Sequence, residues 1–210
     1  MKTPINSQKK CIVLTGCMGC GKTTIGQELH HETGLPFVDI DHFIEETEKM
    51  SIKDIFAKKG ERYFRDLETA VLQALCSEPT PDGSIISTGG GIVIRPENRK
   101  LLRRLGFVVW IKVNHQTLFH RISRNKDRPL LLTENPQETL RKILQTREPW
   151  YMEAAHLIIE TAPLTIAEAS FGIIESARHH FSSKEAFPII HPPHAEKETD
   201  IPSLPNSTNA

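Results

Sequence analysis

Gly16-Cys-Met-Gly-Cys-Gly-Lys-Thr-Thr24 fits the pattern G-x-x-x-x-G-K-[ST]. An apolar run, Cys11-Ile-Val-Leu14, precedes it and predicts a buried strand, and a helical pattern from Lys22 to about Thr33 follows it. The backbone N–H groups of such a loop converge on one anion, and the helix N-terminus adds partial positive charge. We therefore predict a phosphate-binding loop, in which Lys22 reaches the β- and γ-phosphates of a nucleotide and the Thr23 hydroxyl ligates Mg²⁺.

A dinucleotide-binding turn, G-x-G-x-x-G, is the main alternative for a glycine-rich connection between a strand and a helix. Its third glycine would fall at Thr24, and Asp41 lies where a ribose-binding acid is expected. However, a Lys-Thr pair just inside the helix suits a triphosphate and a metal ion. The phosphate-binding loop is therefore preferred.

Composition and charge restrict the possible functions of the chain. The 210 residues predict one domain with a tail, and 38% hydrophobic residues are ample for a core. The 26 basic and 26 acidic residues cancel, so we expect neither a nucleic acid nor an anionic membrane as partner. No apolar run approaches the ~20 residues that span a bilayer. The polar segment from Met1 to Lys10 has no signal-peptide core, so we expect a cytoplasmic protein. We also expect a monomer.

Two of the four cysteines, Cys17 and Cys20, form a C-x-x-C motif inside the loop. The simpler interpretation is that small residues fit a tight turn. The alternative is a redox latch, because a disulfide at this position would distort the phosphate site. The sequence leaves both interpretations open.

Strand and helix patterns alternate along the chain, which predicts a mostly parallel five-stranded sheet with helices on both faces. We expect Asp41 to cap a helix that runs through about Glu48, a helical break at Gly60, and an interruption near Pro149 in a later helix. The four predicted strands after the first are Leu35–Ile40, Ile85–Thr88, Phe107–Ile111 and Leu157–Ile159.

Polar and glycine residues follow the second and third predicted strands. Asp39 and Asp41 close one, and Gly89-Gly-Gly91 follows the other. Ligands bind at the carboxyl ends of parallel strands, so one pocket is predicted there. A kinase needs one acid to orient and deprotonate the acceptor hydroxyl and another acid near the metal, and Asp39 and Asp41 could supply both.

Arg65 and Arg147 are ordinary surface arginines if taken singly, but together they could clamp a carboxylate.

Two further segments have distinct compositions. Arg121, Arg124 and Arg128 surround a polar stretch, as expected of a mobile phosphoryl-transfer lid at about 121–135, although a plain basic loop is the alternative. Residues 182–210 are polar and rich in proline, and we expect a disordered tail that follows a domain at 1–181.

Taken together, these residues resemble shikimate kinase from about Cys11 to His180. The resemblance rests on six motifs that occur in order. They are G-x-M-G-x-G-K-T-T-x-G at Gly16–Gly26, D-x-D at Asp39–Asp41, F-R-x-x-E at Phe64–Glu68, T-G-G-G at Thr88–Gly91, R-P-L-L at Arg128–Leu131 and R-x-x-x-Y at Arg147–Tyr151.

The resemblance implies a three-layer P-loop kinase fold with strand order 2-3-1-4-5 and a mobile lid. It also implies transfer of the ATP γ-phosphate to the 3-hydroxyl of shikimate. Asp39 would reach the Mg²⁺ through water, beside Thr23, and Arg128 would act from the lid as a catalytic residue with Lys22 and Asp41. The residues expected to contact ATP are Gly19, Cys20, Gly21, Lys22, Thr23, Thr24, Arg121 and Arg128.

On the acceptor side, the resemblance implies that Asp41 holds the ring hydroxyls and acts as the base. Arg65 and Arg147 would bind the shikimate carboxylate, and Gly89, Gly90 and Gly91 would line the site, with Gly90 supplying a backbone contact.

The sequence departs from the family pattern at two sites. Thr23 replaces the more usual serine but keeps the hydroxyl, and the loop Thr161-Ala-Pro-Leu164 lacks the polar or basic side chain that many members place near the adenine. Three other functions remain open: another small-alcohol kinase, such as one for gluconate, a non-catalytic binding module, or a simple nucleotide hydrolase.

Overall fold

A parallel five-stranded sheet organises the protein. The computed structural model describes residues 10–77, 83–123 and 135–182. The strand order is β2-β3-β1-β4-β5, so the predicted order is confirmed. The strands are β1 (Cys11–Thr15), β2 (Phe37–Asp39), β3 (Ile85–Ser87), β4 (Gly106–Lys112) and β5 (Leu157–Glu160).

Helices cover both faces of the sheet because successive residues of the central strand β1 point to opposite sides. Ile12 and Leu14 pack with residues of α1, α5 and α7, whereas Cys11 and Val13 pack with residues of α2, α3 and α4. This arrangement confirms the predicted three layers. The helices are α1 (Lys22–Thr33), α2 (Ile40–Glu48), α3 (Ile52–Ser77), α4 (Pro96–Leu105), α5 (His115–Ser123), α6 (Pro136–Ala154) and α7 (Ile166–Ser182).

Two expectations about helix boundaries are wrong. Asp39, not Asp41, caps α2: its Oδ1 accepts hydrogen bonds from the backbone N–H groups of Asp41 at 3.1 Å and His42 at 3.4 Å. Asp41 lies already inside the first turn. Pro149 does not interrupt α6, which continues to Ala154. The packing of Tyr151 and Ala154 in the core holds the last turn in place despite the missing N–H of the proline.

The break predicted at Gly60 is confirmed. Helical geometry runs on both sides of this residue within α3, but Gly60 itself has φ 81° and ψ 166°. The kink separates a first helical segment, which begins at Ile52, from a second segment, which carries Arg65 and Glu68. Only a glycine adopts this backbone conformation readily.

Parts of the sequence-based prediction lie outside the described residues. These are Arg124 and Arg128, residues 124–134 of the predicted lid at about 121–135, and residues 183–210 of the predicted tail at 182–210. Within the described part of the chain, none of the helices combines the length and the apolar character needed to cross a bilayer.

Candidate active site

The loop between β1 and α1 has the backbone geometry that its glycines predict. Gly19 has φ 78°, and Gly21, which directly precedes α1, has φ 100°. A Cβ atom at Gly19 would lie 2.8 Å from Cγ1 of Ile122, so this position also has no space for a side chain. The loop therefore turns sharply into the N-terminus of α1, where partial positive charge gathers.

The Lys22 side chain folds back over this loop. Its Nζ donates hydrogen bonds to the carbonyl oxygens of Gly16 at 2.9 Å and Cys17 at 3.1 Å, and the residue is buried. The ammonium is therefore held at the loop by two main-chain acceptors. A cation at this position is available to a bound phosphate.

Thr23 and Asp39 meet across the ends of α1 and β2. The Thr23 hydroxyl donates a hydrogen bond to Oδ2 of Asp39 at 3.1 Å, while Oδ1 of the same carboxylate caps α2. A hydroxyl and a carboxylate are the hard oxygen groups that suit Mg²⁺, often through a water ligand. The two residues predicted for the metal thus lie together and fit that ion.

A groove of about 290 Å³ lies beside the phosphate loop. Arg121 forms part of its wall and directs Nη1 towards the carbonyl oxygen of Cys20, 3.5 Å away. The groove brings together five of the predicted nucleotide contacts with the loop that follows β5. Its lining residues are Gly19, Cys20, Gly21, Thr24, Ile25, Arg121, Thr161, Leu164, Thr165, Ile166 and Ala169.

The glycine triplet after β3 contacts the residues predicted for the acceptor. A Cβ atom at Gly89 would lie 2.5 Å from Oδ1 of Asp41, and one at Gly91 would collide with the Arg65 guanidinium. The carbonyl oxygen of Gly90 accepts a hydrogen bond from Nη1 of Arg147 at 3.1 Å. Asp41, Arg65 and Arg147 therefore surround one backbone turn.

The same turn lies against the phosphate loop. A Cβ atom at Gly90 would lie 3.0 Å from the backbone nitrogen of Met18. The groups predicted to hold the acceptor and the groups predicted to hold the phosphate are thus in contact through Gly90. Arg128 is the one predicted site residue that lies outside the described residues.

Glu68 is a site residue for which the sequence suggested no role. Its side chain is fully buried and accepts a hydrogen bond from Nη1 of Arg65 at 2.7 Å. Burial raises its pKa to about 7; the charges of Arg65 and Arg147 oppose the rise and the charge of Asp41 adds to it. Its position three residues after Arg65, on the same helix face, is the pattern that could have identified it.

The loop cysteines are buried free thiols, Cys17 with 3% and Cys20 with 1% of the residue exposed. Burial raises the pKa of the Cys17 thiol, although the Lys22 charge opposes the rise. Reactive cysteines are accessible and have a lowered pKa, whereas these two pack into the core beneath the loop. The geometry favours the simpler interpretation, small residues in a tight turn.

Comparison with known proteins decides the family. A family model described as shikimate kinase matches residues 18–178. The chain belongs to the shikimate kinase family. It is 44% identical to a shikimate kinase of Thioalkalivibrio sulfidiphilus over 74% of this chain and 80% of the relative. It is 40% identical to one of Thermoanaerobacter pseudethanolicus over 80% of this chain and 95% of the relative.

A solved structure agrees with this assignment. A shikimate kinase from Acinetobacter baumannii in complex with shikimate is 38% identical and superposes with a TM-score of 0.75, covering 83% of this chain and 94% of that one. The resemblance to shikimate kinase predicted from six short motifs is thereby confirmed. By family, the chain is an ATP-dependent phosphotransferase.

Proposed function

We propose that this protein transfers the γ-phosphate of ATP to the 3-hydroxyl of shikimate, which yields shikimate 3-phosphate and ADP. The observation that carries the proposal is the position of Gly90. It contacts the phosphate loop at Met18, and its carbonyl oxygen binds Arg147, while its neighbours Gly89 and Gly91 contact Asp41 and Arg65. Phosphoryl transfer needs this proximity of donor and acceptor sites.

On the nucleotide side, the phosphates bind at the loop and at Lys22, and the base lies in the groove that Arg121 borders. The Thr23 hydroxyl and, through water, Asp39 would hold Mg²⁺, which would supply positive charge to the phosphates. Because the loop at Thr161-Ala-Pro-Leu164 lacks a polar or basic side chain beyond Thr161, its backbone contributes most of the contacts to the base. Arg128 acts from the predicted lid.

On the acceptor side, the Arg65 and Arg147 guanidinium groups bind the carboxylate of shikimate. Asp41 accepts the proton of the 3-hydroxyl while the hydroxyl oxygen forms a bond to the γ-phosphorus. The bond between the γ-phosphorus and the β,γ-bridging oxygen breaks, which releases ADP. Glu68 neutralises part of the charge of Arg65 and holds it in place.

The direct test is an assay of purified protein with ATP and shikimate, with and without Mg²⁺, in which shikimate 3-phosphate and ADP are quantified. We expect equal amounts of both products, and no turnover after Mg²⁺ is chelated. ADP release independent of shikimate would identify a hydrolase. Phosphorylation of gluconate but not shikimate would identify another small-alcohol kinase, and binding without turnover a non-catalytic module.

Arg147→Ala tests the carboxylate clamp. We expect the KM for shikimate to rise about 10- to 100-fold, because a charged hydrogen bond to the substrate is lost. The Kd for an ATP analogue should stay close to that of the unaltered protein. Arg141→Ala, in the same helix but paired with Glu138 at an exposed position, is the matched control and should change neither value. Equal losses for both ligands in Arg147→Ala would contradict the clamp.

We further propose that the domain at 1–181 acts as a monomer in the cytoplasm. For the full 210-residue chain, a monomer has a mass of 23.7 kDa, which sedimentation equilibrium measures. A mass twice as large, independent of protein concentration, would contradict it.

A further inference from the structure

Two side chains of α6 donate hydrogen bonds to the same backbone oxygen. Nη1 of Arg147 lies 3.1 Å from the carbonyl oxygen of Gly90, and the hydroxyl of Tyr151 makes a short hydrogen bond to it. Arg147 and Tyr151 are four residues apart and so share one face of the helix. A carbonyl oxygen has two lone pairs, and these two donors occupy both.

The packing around Tyr151 fixes the position of its hydroxyl. The ring is buried, with 1% of the residue exposed, and stacks on Trp110 of β4 at a centroid distance of 5.6 Å and an interplanar angle of 16°. Burial raises the pKa of the phenol well above its ordinary value, and the hydroxyl is protonated and able to donate at neutral pH. Its hydroxyl therefore donates to Gly90 from a rigid frame.

The shared acceptor couples the position of Arg147 to Tyr151. One N–H of its guanidinium is directed at Gly90, while the proposed function requires the same group to bind a substrate carboxylate in bidentate geometry. Buried carbonyl oxygens need a hydrogen-bond partner. Both residues donate to this oxygen at once, so Tyr151 fixes the position of the atom on which one N–H of Arg147 is anchored.

We propose that Tyr151 is a positioning residue for the acceptor: its hydroxyl fixes the Gly90 carbonyl oxygen, and the Arg147 guanidinium, anchored on that same oxygen through Nη1, is thereby oriented towards the substrate carboxylate. This inference rests on the proposed function. In this proposal Tyr151 makes no contact with the substrate and acts through Arg147.

Tyr151→Phe tests the proposal, because it removes the hydroxyl and keeps the stacked ring. We expect the KM for shikimate to rise about threefold to tenfold, the effect of losing one hydrogen bond. The kcat and the Kd for an ATP analogue should change less than the KM for shikimate. The chain has two tyrosines, and Tyr63→Phe is the matched control. The Tyr63 hydroxyl binds Glu48 and Lys59 near the surface, so its removal should leave both substrates unaffected.

The same substitution in an Arg147→Ala background separates positioning from general stability. If Tyr151 acts through Arg147, Tyr151→Phe should have little further effect on the KM for shikimate once Arg147 is gone. An equal rise in both backgrounds, or a parallel loss of affinity for the ATP analogue, would overturn the proposal. An unchanged KM in the single variant would do the same while leaving the proposed function intact. Absence of any shikimate turnover in the unaltered protein would instead overturn the function itself.

Discussion

Lys22 makes three contacts within the loop that precedes it. Besides the carbonyl oxygens of Gly16 and Cys17, its Nζ lies 3.7 Å from Sγ of Cys20. These neutral groups compensate only part of the cost of burying an ammonium ion. A bound phosphate would supply the full opposite charge, so the ammonium is prepared for an anion at this position.

Lys22→Met isolates that charge, because methionine keeps an apolar stem of similar length. We expect kcat to fall about 10²- to 10³-fold, the typical loss when one group that stabilises the transition-state charge is removed. The thermal midpoint should change little. Steady-state assays and thermal denaturation provide the two measurements, with Lys59→Met, at the ion pair with Glu48, as control. Turnover near that of the unaltered enzyme would show that the ammonium takes no part in transfer.

At the residue scale, the predictable part of the site was the part tied to motif spacing. Lys22, Thr23, Asp41, Arg65 and Arg147 all lie where their motifs imply. Glu68 and Tyr151 occur in the same motifs, yet no role was assigned to them. The Glu68 contact with Arg65 follows an i, i+3 spacing that could have identified it, whereas the Tyr151 contact with the Gly90 carbonyl joins distant elements and has no local pattern in the sequence.

At the scale of elements, the kink in α3 depends on the backbone of a single residue. Gly60 lies at φ 81° and ψ 166°, a region that other residues occupy only with strain. No heavy atom lies within 4 Å of where its Cβ would be, so a methyl group there meets no steric obstacle. Any cost of a substitution is therefore conformational.

Gly60→Ala and Gly172→Ala should shift stability in opposite directions. We expect Gly60→Ala to lower the free energy of unfolding by about 1–3 kcal/mol, because of backbone strain. Gly172 lies inside α7, where a Cβ would approach Ile159 no closer than 4.0 Å. Its replacement should raise the free energy of unfolding by about 0.5–1 kcal/mol through better helix propensity. Urea denaturation measures both, and two shifts of the same sign would contradict this account.

Boundaries of elements were the less predictable part of the fold. The D-x-D spacing allows either aspartate to cap α2, and only the extended backbone of Asp39, at φ −101° and ψ 115°, decides between them. Pro149 has a strong local preference to end a helix, but the core contacts of Tyr151 and Ala154 outweigh it. Local propensity thus fails where tertiary packing decides.

At the scale of the whole molecule, the strand order assembles the site. β3 lies between β2 and β1, so the carboxyl ends of all three are neighbours. Asp39 reaches Thr23, Asp41 reaches Gly89, and Gly90 reaches the phosphate loop as a result. This arrangement was predictable from the alternation of strands and helices together with the family resemblance.

Two groups, the buried Glu68 and the partly buried His156, make the stability of the whole molecule depend on pH in opposite directions. Burial raises the pKa of Glu68 from 4.5 to about 7. Between those values the folded state keeps a proton that the unfolded chain has lost, so stability falls as the pH rises.

His156 has the opposite effect. Burial, with smaller effects of Arg103 and His180, lowers the pKa of His156 from 6.5 to about 4. In that window the unfolded chain holds the extra proton, so stability falls as the pH decreases.

Single substitutions should separate these two slopes. Glu68→Gln removes the acid, so the free energy of unfolding should increase more steeply with pH between 4.5 and 6.5 than in the unaltered protein. His156→Asn removes the base but keeps an acceptor for the Val108 N–H, and the same slope should become smaller or negative. Urea denaturation across this range measures each slope. The constant offsets caused by either substitution do not matter, because the prediction concerns slopes alone. Curves that run parallel to that of the unaltered protein would show that folding shifts the pKa of neither group.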